Sequence, residues 1–199
     1  MKLGVDRASR LIGRTRRVVL AVALLVVVGG CGEDGASSTP PITPGSVATP
    51  RVVNIVGRDY SFSPPVVDLV PGETIALRFV NGGLEVHEVV IGGLDVQDAW
   101  ERAEAATAGH PPGPTPAVSV PPKVAGLRLV AASGQRVDAT WTVPIDAAED
   151  AGGWYVGCHI PGHWARGMVV PVRFVGEDGT PLGSPPPVPT SAAGGGSGD

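Results

Sequence analysis

Between Arg51 and Val175 the chain repeats one device: a short run of alternating or β-branched apolar residues, closed by Pro, Gly or Asn. "RVVNIVG" (51–57) and "PVVDLV" (65–70) are two such runs. "ETIALRFVN" (73–81) sets Ile75, Leu77 and Phe79 on one face, and "EVHEVVI" (85–91) follows after the turn "NGG". "RVDATWTV" (136–143) alternates Val137, Ala139, Trp141 and Val143, and "GWYVGC" (153–158) and "MVVPVRFV" (168–175) complete the set. A period of two turns one face of each run toward a core. Short strands at this spacing predict an all-β, antiparallel sandwich or barrel.

One segment has another period. "DVQDAWERAEAATAG" (95–109) is rich in Ala and Glu, and Val96, Trp100 and Ala103 fall at i, i+4 and i+7. This pattern predicts a helix around 95–108, with Asp95 as its N-cap and Gly109 as its stop, lying over an open side of the sandwich. A Pro-rich connector, "HPPGPTPAVSVPPKVAG" (110–126), leads back to the sheet, so 92–125 reads as an insertion.

The flanks are different in kind. Residues 1–30 hold six Lys or Arg and one acid, then the apolar run "VVLAVALLVVVGG". That run is shorter than a spanning helix requires and reads as a signal peptide. Small residues precede Cys31 in "VGGC", which resembles a bacterial lipobox, so Cys31 is expected to be lipidated and to become the new N-terminus. Residues 31–50 form a Pro/Ser/Gly-rich tether and 177–199 a low-complexity tail, leaving 51–176 as the folded unit. The expectation is an exported protein, lipid-anchored on the extracytoplasmic face of the cell membrane. Without residues 1–30 the chain carries 9 basic and 18 acidic residues, which excludes nucleic acid as a partner.

With Cys31 lipidated, Cys158 is an unpaired thiol in an exported protein. It opens "CHIPGHWARGM" (158–168), where Cys158, His163 and Met168 stand at C-x4-H-x4-M spacing. Thiolate and imidazole are strong ligands for copper, and thioether is a weak, soft one. "PG" at 161–162 turns the loop, and Gly167 is read as permitting close backbone approach. A fourth ligand is offered by His87, whose apolar neighbours in "LEVHEVV" leave a buried imidazole in need of a partner. Two imidazoles, one thiolate and one axial thioether match the trigonal blue-copper site of electron-transfer proteins.

Three stretches together resemble the cupredoxin family of type 1 blue-copper, plastocyanin-like domains: "DYSFSPPVVDLVPGETIALRFVN", "NGGLEVHEVVI" and "YVGCHIPGHWARGM". The resemblance covers roughly 51–91 and 126–176. It implies a Greek-key β-sandwich holding one type 1 copper on His87, Cys158, His163 and Met168. Two features depart from the small members. Four residues separate Cys158 from His163, where those members have two, which is closer to nitrite reductase, oxidase subunits and multicopper oxidases. Glu88 follows His87 where they often have Asn.

Of the remaining residues, Glu88 and His159 are candidates for supporting the site from behind. Trp164 either lines a docking patch or fills core, and Trp141 and Trp154 are read as core. In a His-Cys-His triplet His159 would serve a second copper cluster, but Gly157 stands where the first histidine would be. The chain has four histidines, too few for such a cluster, and His110 is read as solvated. The expected function is therefore one-electron transfer by a mononuclear, monomeric carrier, not an enzyme, working between redox partner proteins at the membrane face. The alternatives are copper delivery or storage, or a copper oxidoreductase subunit related to nitrite reductase.

Overall fold

A computed structural model of the chain describes residues 40–108 and 118–189. Nine strands are described: β1 (Arg51–Arg58), β2 (Ser61–Ser63), β3 (Val67–Leu69), β4 (Thr74–Asn81), β5 (His87–Gly93), β6 (Leu127–Ala131), β7 (Arg136–Thr142), β8 (Trp154–Gly157) and β9 (Val169–Phe174). One α-helix, α1 (Leu94–Ala105), is inserted between β5 and β6. The strands form a four-stranded sheet, β2-β1-β4-β7, and a five-stranded sheet, β3-β9-β8-β5-β6. The fold is the expected all-β sandwich with one inserted helix.

The sheets are mixed, not antiparallel throughout as the strand spacing predicts. Five of the described strand pairings are antiparallel, whereas β1 with β4 and β3 with β9 are parallel. The cause is the excursion between β1 and β4. The chain pairs β2 back on β1, crosses to the other sheet as β3, and returns as β4 in the direction of β1. A parallel pair needs such a crossover, which a two-residue turn cannot supply.

The core lies between the sheets. Ile55, Ile75, Leu77 and Phe79 from one sheet meet Val89, Ile91, Val156 and Val172 from the other, each at most 1% exposed. Full burial of Phe79 alone stabilises by about 1.5–3 kcal/mol. Trp141 and Trp154 stack at 6.2 Å, and Trp154 meets Phe174 edge-on at 5.6 Å.

β5 is buried along its whole length, on both faces. Val89 and Ile91 face the core, while Val90 packs with Val96 and Trp100 of α1. Without side-chain capping, the helix starts after Gly93; Asp95 is not the cap but lies in the first turn, its Oδ1 accepting the Val96 N–H at 2.8 Å. The buried positions are Val96, Gln97, Trp100 and Glu104, so the face that meets the sheet is half polar, and Ala103 is only partly buried. Gly109 and His110 lie outside the described residues.

Parts of the two low-complexity flanks are bonded to each other and to the body. The Ile42 N–H donates to the Glu177 carbonyl at 3.0 Å, the Thr74 N–H to the Gly45 carbonyl at 2.9 Å, and the Tyr155 hydroxyl to the Pro187 carbonyl at 3.1 Å. The signal segment and Cys31 lie outside the described residues. Among the described residues no helix is long and apolar enough to cross a membrane.

Candidate metal centre

The loop from β8 to β9 is built to hold side chains inward. Cys158 is the first residue after β8 and is fully buried, with its N–H donating to the Met168 carbonyl at 3.1 Å. The His163 N–H donates to the Ile160 carbonyl, and the Met168 N–H to the His163 carbonyl. A single 3-10 turn, Trp164–Arg166, ends at Gly167, whose φ of 89° is left-handed. A Cβ at Gly167 would meet nothing within 4 Å, so glycine is needed here for its backbone conformation, not for the close approach read from the sequence.

His87 enters from the other side as the first residue of β5, fixed in register opposite Ala131. Its Nδ1 lies 3.2 Å from the His163 Nδ1, and that atom lies 3.3 Å from the Cys158 Sγ. The three donor atoms all fall within 4.8 Å of one another, and all three residues are buried. Met168 is fully buried in the same core cluster as Cys158.

Both rings turn Nδ1 inward and Nε2 outward. The His87 Nε2 meets Asp59 Oδ1 at 2.7 Å, and the His163 Nε2 meets Glu85 Oε2 at 2.9 Å. Tyr60 lies edge-on to His163 at 4.9 Å, donates its hydroxyl to Glu85 Oε1 at 2.6 Å, and carries the Arg166 guanidinium over its ring at 4.2 Å. The Leu84 N–H and the His87 ring hold the Asp59 carboxyl below the usual range. The Tyr60 hydroxyl, and then His163, do the same for Glu85. Burial lowers the His163 imidazole, which keeps it a neutral donor.

Burial, reinforced by the Glu88 charge, pushes the Cys158 thiol far up. A thiolate here therefore needs a cation beside it, which a bound metal supplies. Two inward imidazole nitrogens and a dry thiol fit a soft, borderline metal, and with a thioether on the same loop the donor set is that of a type 1 copper site.

Glu88 and His159 point away from this cluster. Glu88 is fully buried, its Oε2 accepting from Arg128 Nε at 2.6 Å and its Oε1 from the His159 N–H at 2.8 Å. His159 bonds Glu101 through Nδ1 and Gln97 through Nε2, both at 2.8 Å, and its ring stacks on Trp164 at 4.8 Å. A Cβ at Gly157 would lie 2.5 Å from both Gln97 Oε1 and Trp164 Cζ3, so no side chain has room there. Trp164 is half-buried, one face against His159.

Sequence reading overlooked Asp59, Tyr60 and Glu85 on the outer side and Gln97, Glu101, Glu104 and Arg128 on the helix side. The one local signal is Glu85, two residues before His87 in a period-two segment.

No protein-family model matches the sequence, and no curated protein matches it. Solved structures similar to the chain include a dithionite-reduced auracyanin from the photosynthetic bacterium Roseiflexus castenholzii, at 22% identity over 63% of this chain and 97% of that one, with a TM-score of 0.48. Auracyanin A, described as a "blue" copper protein from the green thermophilic photosynthetic bacterium Chloroflexus aurantiacus, matches at 22% identity over 63% and 98%, with a TM-score of 0.48. Auracyanin B matches at 22% identity over 70% and 100%, with a TM-score of 0.46.

Proposed function

We propose that the chain is a mononuclear type 1 copper protein of the cupredoxin kind, which carries one electron at a time between exported or membrane-bound redox partners. The observation that carries this reading is the buried convergence of His87 Nδ1, Cys158 Sγ and His163 Nδ1. His87, Cys158, His163 and Met168 would hold the metal. Bound copper supplies a one-electron couple between its cupric and cuprous forms.

The protein's part is rigidity. One donor sits on β5, an interior strand of the five-stranded sheet, and the others sit on a loop closed by the Cys158–Met168 and Met168–His163 backbone bonds. A frame that keeps its geometry in both oxidation states lowers the reorganisation that accompanies electron movement. Burial keeps water off the thiolate. His163 lies nearest the surface, beneath the half-exposed Glu85, and offers the shortest way out for the electron. Attachment by a lipid on Cys31 would hold this monomer on the extracytoplasmic membrane face, close to such partners.

The test is the visible spectrum of the purified, copper-loaded chain through a cycle of reduction and reoxidation. An intense thiolate-to-copper band that bleaches reversibly and is absent from Cys158→Ser is expected, with one copper per chain. A band that survives Cys158→Ser sinks the assignment. For the anchor, mass spectrometry of the mature N-terminus should find lipid on Cys31, and a free N-terminus elsewhere rules it out.

A further inference from the structure

Each proposed ligand ring gives its outer nitrogen to a carboxylate: His87 to Asp59 and His163 to Glu85. These two contacts belong to one construction. The Asp59 carboxylate accepts the Leu84 N–H at 3.2 and 3.0 Å and the Glu85 N–H at 3.4 Å, which joins the β1–β2 turn to the β4–β5 loop directly over the rings. Asn81 fixes that loop from beneath, donating to the Glu85 and Ala131 carbonyls and accepting the Gly83 N–H. The Tyr60 hydroxyl occupies Glu85 Oε1 and leaves Oε2 for His163.

Gly83 gives the clearest sign that the contact has been made room for. A Cβ there would stand 2.3 Å from Asp59 Oδ1 and 2.7 Å from the His87 Nε2. Any side chain would break this pair, whereas glycine lets it close.

We infer that Asp59 and Glu85 are positioning residues that lower the reduction potential of the centre, each by accepting the Nε2–H of one ligand imidazole. The inference rests on the copper reading above. A ring that donates its outer N–H to a carboxylate is a stronger donor at the nitrogen facing the metal. The carboxylate also adds negative charge close to the site. Both effects favour the more highly charged, oxidised metal, so they add rather than cancel. The Asp59 side chain is 28% exposed and that of Glu85 52%, so solvent screens the second pair more. Asp59 is therefore the stronger of the two.

The experiment is a spectroelectrochemical titration of the copper-loaded full chain, comparing wild type with Glu85→Gln, Asp59→Asn, Gly83→Ala and Asp138→Asn. Loss of such an outer partner typically costs 10–100-fold in metal affinity. Glu85→Gln should lower the ratio of cupric to cuprous affinity about tenfold, a rise of ~59 mV for a one-electron couple. Asp59→Asn should raise the midpoint further. Gly83→Ala, which removes no charge, should move it in the same direction. Asp138 pairs with Arg136 on exposed β7 and should leave it in place. Melting of the metal-free variants checks the fold, and half-exposed Glu85 makes Glu85→Gln the variant least apt to disturb it.

Unchanged midpoints in Glu85→Gln and Asp59→Asn overturn the inference while the copper reading stands. An equal rise in Asp138→Asn overturns it too, by showing an effect of bulk charge. A wild-type chain with no thiolate band overturns the copper reading and this inference with it.

Discussion

The loop that holds Cys158 and His163 is gripped from two sides by groups of similar chemistry in opposite surroundings. Outside, Asp59, Tyr60 and Glu85 hold the His87 and His163 rings at the edge of solvent, with Glu85 half exposed. On the helix side, Glu88 and Glu104 are buried and share the mostly covered Arg128 side chain, Arg128 lies over the Trp100 ring at 4.4 Å, and His159 is wedged between Gln97, Glu101 and Trp164. The difference assigns them different work. A charge near water can be neutralised at little cost to folding, so the outer pairs act mainly on the chemistry of the rings. A charge buried among partners cannot be removed alone, so the inner network acts mainly on the fold.

The largest effect should come from Arg128→Met. It leaves Glu88 and Glu104, both buried, without the guanidinium that bonds each of them at 2.6 and 2.5 Å. Breaking a buried ionic cluster by removing one partner costs about 3–5 kcal/mol. Urea unfolding of the metal-free chain measures it, and a midpoint equal to wild type would dissolve the contrast between the two sides.

His159→Ala comes next. It removes hydrogen bonds to Glu101 and Gln97 and the stack on Trp164, at a cost of about 2–3 kcal/mol. The copper-loaded variant should keep its thiolate band, since His159 faces α1 and not the donor cluster. Loss of the band would join the two sides into one site.

How legible each side was in the sequence follows from what leaves a periodic trace. Ile75, Leu77 and Phe79 alternate, and β4 is where they predict it. His87, Cys158 and His163 are rare residues at telling positions, and they meet. The parallel pairing of β1 with β4 left no trace, because period two is blind to strand direction. Nor did β2, three residues long, or β6, where only Ala131 is fully buried and no face stands out. The polar partners were illegible for a related reason. Asp59 and Glu85 sit in a turn and a loop, where charged residues are ordinary, and only the crossing of those segments gives them a role. Gln97 and Glu104 lie on the helical face read as apolar, because a buried polar residue is recognisable only once its partners are known.

The smallest effect is one of sign, and it separates the two sides in the metal-free protein. Burial, and then the Glu88 charge, raises the Glu104 carboxyl, while Arg128, Thr107 and His159 oppose. With its folded value above the ordinary 4.5, Glu104 keeps its proton to higher pH in the native state than in the unfolded chain. Its contribution is therefore complete below pH 4.5 and disappears as pH rises through the folded value. Asp59 and Glu85 are shifted down, so their contribution is present above 3.8 and 4.5 and disappears as pH falls through their folded values. Stability against pH should then fall on both flanks for different reasons. Glu104→Gln should flatten the descent above pH 4.5 and leave the acid side alone. Glu85→Gln should flatten the acid side, and by less, because water screens its contacts. Melting temperature against pH for the three proteins makes the comparison, and a Glu104→Gln variant that flattened the acid side instead would reverse the division drawn between the buried and the exposed grip.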